Sequence, residues 1–175
     1  DSTWEYVDAS WVDLNNDGNI DLIAGNLGLN SRLKASGKEP VRLYYNDFDD
    51  NGKKEQILTH YLDGKEIEFA NIGELEKQMP AMKKKFLYAK DFAKASLQEL
   101  FTKEKFASSK IFTADYFANA ILINKGNLNF DVAPMPWQAQ LSCYKTAVVT
   151  DANGDHLPDI LLGGNYYENS VQIGR

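Results

Sequence analysis

The sequence predicts a mainly β fold, broken by an α-helical insertion around residues 72–106. Three observations carry that expectation: an acidic nine-residue loop occurs three times, short β-branched and apolar runs flank each copy, and one long segment switches to helical periodicity. At 175 residues, with 12% aromatic and 25% charged side chains, the chain has the size and composition of an ordinary globular domain.

The first loop, Asp13 to Asp21, reads D-x-N-x-D-G-x-x-D, with Ser10-Trp11-Val12 before it and IDLIAG (20–25) after it. Apolar runs on both sides of a turn-rich acidic loop predict a β-hairpin. Gly25-Asn26-Leu27-Gly28-Leu29-Asn30 follows a strand but opens no helix, so it reads as a turn and not as a phosphate-binding loop. VRLYY (41–45) leads into the second loop, Asp47 to Glu55, which reads D-x-D-x-N-G-x-x-E. Residues 56–61 leave it as a strand, and Asp63-Gly64 makes a tight hairpin turn before another strand at 66–69. Apolar residues then fall at Ile72, Leu75, Met79, Met82, Phe86, Ala89, Ala93, Leu97 and Leu100, in steps of three and four. Pro80 is tolerated only in a first turn, so this segment reads as two or three helices. Residues 118–124, a Lys125-Gly126-Asn127 turn and residues 129–133 form a further hairpin. The third loop, Asp151 to Asp159, reads D-x-N-x-D-H-x-x-D between AVV (147–149) and DILLG (159–163). The expected organisation is strand-and-loop material at 1–71, helices at 72–106, and strand-and-loop material at 107–175.

Each loop gathers three carboxylates: Asp13, Asp17 and Asp21; Asp47, Asp49 and Glu55; Asp151, Asp155 and Asp159. Like charges held 4 Å apart repel by ~1 kcal/mol in water and by several times more near a protein surface. A hard divalent cation with oxygen ligands removes that conflict, and Ca2+ is the ion this donor chemistry fits, up to three in all. An EF-hand is excluded, because its position twelve must be a bidentate acid and here holds Ala24, Leu58 and Leu162. Position nine carries the acid instead. Gly18 and Gly52 at position six supply positive φ, and His156 must adopt it in the third loop.

The net charge is −6, with a pI near 4.9. An acidic surface repels phosphate backbones and anionic headgroups, which argues against nucleic acid and membrane partners. No apolar run reaches the length of a membrane span. Cys143 stands alone, so no internal disulfide forms, and metal ions are the available staple. The chain starts at Asp1 without a Met and stops at Arg175 just after a strand-like stretch, which reads as a fragment of a longer protein.

These loops resemble the FG-GAP/VCBS repeat family, whose blades form the propeller of integrin α subunits. In that family a D-x-D/N-x-D/N-G-x-x-D loop joins two strands of a blade and holds calcium. The resemblance implies a partial β-propeller of two to three blades. It implies that Asp13, Asn15, Asp17, Asn19 (by its carbonyl) and Asp21 ligate one ion. For the second ion it implies Asp47, Asp49, Asn51, Lys53 (by its carbonyl) and Glu55; for the third, Asp151, Asn153, Asp155, Leu157 (by its carbonyl) and Asp159. The runs DLIAGNLGLNS, EPVRLYYNDFDDNG, QMPAMKKKFLYAKDFAKASLQELF and ILLGGNYYE are similar to large VCBS-repeat proteins of Bacteroidetes. Many of those carry an ASPIC/UnbV-type region and are exported to the periplasm or cell surface.

The function this implies is a non-enzymatic, calcium-stabilised binding or scaffold module, extracytoplasmic, with a protein or glycan partner. The alternative is part of a carbohydrate-active propeller enzyme whose catalytic residues lie largely outside this stretch. Asp115, Asp131 and Glu168 are acids outside the loops, but nothing in the sequence pairs them as a glycosidase requires. A calcium-responsive switch is a third reading. His60 reads as a packing or surface residue, Cys143 as a buried small side chain, Lys83-Lys84-Lys85 as a solvated helix face, and Tyr166 and Tyr167 as exposed aromatics. With few blades present, open strand edges favour edge-to-edge association of the fragment.

Overall fold

The computed structural model describes residues 8–86 and 88–164, and in them the fold is mainly β with every strand pairing antiparallel. In chain order come β1 (Asp8–Val12), β2 (Asp21–Gly25), β3 (Val41–Asn46), β4 (Glu55–Leu62) and β5 (Lys65–Glu68). Five short helices follow: α1 (Ile72–Gln78), α2 (Met82–Lys85), α3 (Ala89–Phe92), α4 (Leu97–Leu100) and α5 (Lys103–Ala107). The chain continues as β6 (Lys110–Ala114), β7 (Ala120–Asn124), β8 (Phe130–Pro134), a 3-10 turn at Trp137–Gln140, β9 (Thr146–Thr150) and β10 (Asp159–Gly163). Among the described residues no helix is long and apolar enough to cross a membrane.

Two compact units result among the described residues: a continuous one, Lys34–Tyr116, and a split one made of residues 8–33 and 117–164. In the continuous unit the strand order is β5-β4-β3-β6. Three hairpin-connected strands are joined by a fourth that returns to lie beside the first, which is Greek-key order. The Asp63-Gly64 turn between β4 and β5 has φ of 50° and 73°, the two positive values that a type I′ hairpin needs. All five helices lie in the connection from β5 to β6. Their apolar residues Leu75, Met79, Met82, Phe92 and Leu100, with Phe101, bury against Tyr44, Phe48 and Ile57 of the sheet and its loop.

That packing explains two differences from expectation. The helices have no core of their own, so the compact unit spans Lys34–Tyr116 and not 72–106 alone. Among the described residues the segment also holds five helices, not two or three. Asn71 and Ser96 each form a capping box, with Glu74 and Glu99, and Thr102 caps α5, so α1, α4 and α5 each start at a cap of their own, while α2 and α3 start without a side-chain cap. Pro80 stands between α1 and α2, as its chemistry requires.

In the split unit the first sheet runs β1-β2-β7-β8, and β9 pairs with β10 in a second. β9 lies beside β1, where the Ser10 hydroxyl donates to the Ala147 carbonyl at 3.0 Å. Ile23, Ala24, Ala118, Ala120, Met135 and Cys143 are buried around a polar knot. At its centre, Asn119 accepts from the Asn26 N–H at 2.6 Å and donates to the Ala139 and Ser142 carbonyls at 2.7 and 2.9 Å. Gln140 clamps the Asn119 backbone from both sides, accepting its N–H and donating to its carbonyl, each at 2.9 Å. The 25–30 turn docks on this knot through Gly28. A Cβ there would stand 2.8 Å from both the Gln140 and Ser142 carbonyl oxygens, at a φ of +79°. Gly28→Ala should therefore destabilise the split unit by about 2–4 kcal/mol, combining left-handed strain with overpacking. Urea denaturation followed by hydrogen exchange at residues 117–124 measures it.

Candidate metal centre

The three loops close with one hydrogen-bond plan. The position-nine carboxylate accepts the N–H of position two: Asp21 from Leu14 at 2.9 Å, Glu55 from Phe48 at 2.8 Å, Asp159 from Ala152 at 2.9 Å. The position-one aspartate accepts the N–H groups of positions five and six, from Asp17 and Gly18, Asn51 and Gly52, and Asp155 and His156. The position-five side chain accepts the N–H of position seven, from Asn19, Lys53 and Leu157 at 2.8, 2.7 and 2.8 Å. Glutamate at position nine of the second loop makes the same bond as the aspartates.

Backbone geometry repeats as well. Position six has positive φ in each loop: 86° at Gly18, 83° at Gly52 and 65° at His156. Position four is also left-handed, at Asn16, Asp50 and Gly154, with φ of 56°, 60° and 81°. That second requirement went unread in the sequence, although Asn, Asp and Gly are the residues that meet it most readily. Position twelve of each loop lies inside β2, β4 or β10, well away from any ligand role.

The loops differ in how they handle charge. Asp21 is fully buried, and its second oxygen accepts the Asn124 N–H at 2.9 Å. In loops one and three, position three is asparagine, whose amide donates to the position-five aspartate: Asn15 to Asp17 and Asn153 to Asp155, both at 3.0 Å. The Asn19 N–H holds the Asp17 carboxyl below the usual aspartate range. Loop two has Asp49 at that place, with no amide to offer. Among the described residues, only there do three acids converge: one oxygen each of Asp47, Asp49 and Glu55 lie within 4.8 Å of one another. Glu55 is 5% exposed, and the Asp49 Oδ1 is buried without a hydrogen-bond partner. An all-oxygen set with one orphaned carboxylate oxygen fits a hard divalent cation.

Other residues singled out in the sequence fall as follows. His60 is buried and its ring meets Phe69 edge-on at 5.4 Å. Cys143 is buried, which raises its thiol pKa. Lys83 and Lys84 are exposed on α2, but Lys85 is not merely solvated, since its ammonium donates to the Leu100 carbonyl at 2.8 Å and caps α4. Asp131 lies 3.7 Å from the Lys125 ammonium. Glu168, Tyr166 and Tyr167 lie outside the described residues. Trp11 and Trp137 are 68% and 69% exposed.

Sequence reading missed one further cluster in the continuous unit. Glu66 accepts from Arg42, Thr59 and Tyr44 at 2.7, 2.6 and 3.2 Å, tying β3, β4 and β5 together on one face. Burial works against the Arg42 charge, but hydrogen bonds to Tyr61 and Glu66 outweigh it and raise its pKa. Such a cluster joins residues far apart in sequence, and no local pattern announces it.

Comparison with known protein families, curated proteins and solved structures returns no match for this chain.

Asp49→Asn would give loop two the amide that loops one and three already have. Without metal, the substitution should raise stability by about 1 kcal/mol, by removing one carboxylate from the cluster and pairing the orphan. Thermal melts in EDTA read this directly.

Proposed function

We propose that the three loops bind calcium and that the chain is β-propeller material of FG-GAP/VCBS type, serving as a binding or scaffold module. One observation carries the metal reading: Asp47, Asp49 and Glu55 converge in loop two and leave the Asp49 Oδ1 buried without a partner. The common backbone plan extends the reading to the other two loops. There the position-one, three, five and nine side chains, with the carbonyls of Asn19 and Leu157, form the ligand set. Metal entry would exchange the present N–H bonds to those oxygens for ligation.

The blade reading is supported by order in the split unit. β1-β2-β7-β8 is a meander once Lys34–Tyr116 is set aside, and the next loop-bearing hairpin starts beside β1. The ions act as staples between strands, in place of the disulfide that a lone Cys143 cannot form. Weak, oxygen-only loop sites suit the millimolar calcium outside a cytoplasm, which favours an exported or cell-surface location. Trp11 and Trp137 offer exposed rings to a protein or glycan partner.

Calorimetric titration of the EDTA-stripped chain should show about three calcium equivalents with a melting temperature that climbs with calcium. At one hundred times Kd each site adds about 2.7 kcal/mol. Glu55→Gln should remove one equivalent. No uptake at millimolar calcium would refute the metal reading for this chain.

A further inference from the structure

Loop two has a neighbour of a kind the metal reading leaves unexplained. The Lys105 ammonium, from α5, donates to the Asp47 carbonyl at 2.6 Å and pairs with the Asp50 carboxylate. Asp50 sits at position four, outside the ligand set. The lysine side chain is only 22% exposed, so its stem is packed and not waving in solvent.

Several contacts hold it there. Asn46, the residue just before the loop, donates from one amide nitrogen to the Lys105 carbonyl at 2.8 Å and the Ser108 hydroxyl at 3.0 Å. Phe48, at position two, meets Phe101 at a tilt and Phe106 edge-on, with ring centroids 4.7 and 5.7 Å apart, and Phe106 meets Tyr44 at 4.8 Å. The α5 segment is thus fastened to the incoming strand and the first half of loop two, and Lys105 is the cation it presents there.

We infer that Lys105 is the resident counter-cation of loop two, holding the loop closed without metal and lowering its calcium affinity. The inference rests on the calcium reading of that loop. Three converging carboxylates repel one another until a positive charge arrives, and Lys105 supplies one permanently. When a divalent ion enters, the same ammonium becomes a like-charge neighbour. Occupancy of loop two is therefore set as a balance between α5 and the ion. An ordinary exposed ion pair would contribute little to either state. Here the lysine binds two oxygens of the loop at once from a clamped position.

The test compares wild type, Lys105→Met and Lys105→Gln after EDTA stripping, with Glu55→Gln marking the loop-two equivalent. Both lysine variants should melt at lower temperature without metal. Both should bind calcium at loop two about five- to ten-fold more tightly at low ionic strength, the gain shrinking in 0.15 M salt. Lys105→Gln retains a donor for the Asp47 carbonyl, so it preserves the comparison if Met costs the fold. Unchanged or weaker affinity in the variants would overturn the counter-cation and leave Lys105 a plain structural clasp. If no chain shows a Glu55-dependent equivalent, the calcium reading of loop two falls, and this inference with it.

Discussion

The hairpins depend on one contact, the carboxylate at loop position nine accepting the N–H of position two. It ties the first residue of the outgoing strand across the mouth of the loop. In each case that residue pairs with the one just before the loop: Asp21 with Val12, Glu55 with Asn46, Asp159 with Thr150. A slip of one residue in an antiparallel pair turns every side chain to the opposite face. The carboxylate therefore decides which side chains reach the core. With Glu55 locked inward, Ile57 and Thr59 follow on the same face and are buried. With Asp21 inward, Ile23 follows.

A buried carboxylate is costly unless hydrogen bonds stabilise its charged form. Asp21 meets that condition with one backbone donor on each oxygen, Leu14 and Asn124. The second donor comes from β7, so the loop is completed by a strand far along the chain. Glu55 accepts from Phe48 and then faces Asp47 and Asp49. The same backbone thus carries two solutions to crowded charge. Loops one and three place an amide at position three and settle the repulsion among themselves. Loop two keeps an acid there and looks outward for positive charge, which Lys105 provides. Asparagine and aspartate trade places at positions three and five between the two arrangements, and in loop two the three acids converge.

What could be read in the sequence was local. The three loops, the strands beside them, the Asp63-Gly64 turn and the 125–127 turn are set by residues a few positions apart, and each stands where the pattern put it. The helical segment was legible as helical, but its division into five was not. The apolar steps run through without a break, and α2 and α3 start without a side-chain cap, so the restarts are marked by Pro80 after α1 and by the Ser96 and Thr102 caps of α4 and α5. The long-range pairings of β2 with β7 and β3 with β6 were invisible, because alternation shows that a strand is buried without showing by what. The Asn119–Gln140 knot was hidden for the same reason. Lys105 also gave no signal, lying 58 residues from Asp47 and 55 from Asp50, the loop residues it touches.

Those invisible pairings explain how one unit can interrupt another. Lys34–Tyr116 sits in the chain between β2 and β7, strands that pair directly, Ala24 opposite Ala120. A disordered excursion of that length would add a loop-closure cost to the pairing. The continuous unit avoids it by pairing its own first and last strands, Val41 opposite Ala114, so its two ends leave side by side. Closing the excursion is then part of folding the Greek key, and what is left to connect β2 and β7 to that unit is residues 26–40 on one side and 115–119 on the other. The helices fill that unit's core and so lend the stability that makes the closure hold. A segment that looked like a helical interruption of a β repeat is the packing layer of a unit folded on its own sheet.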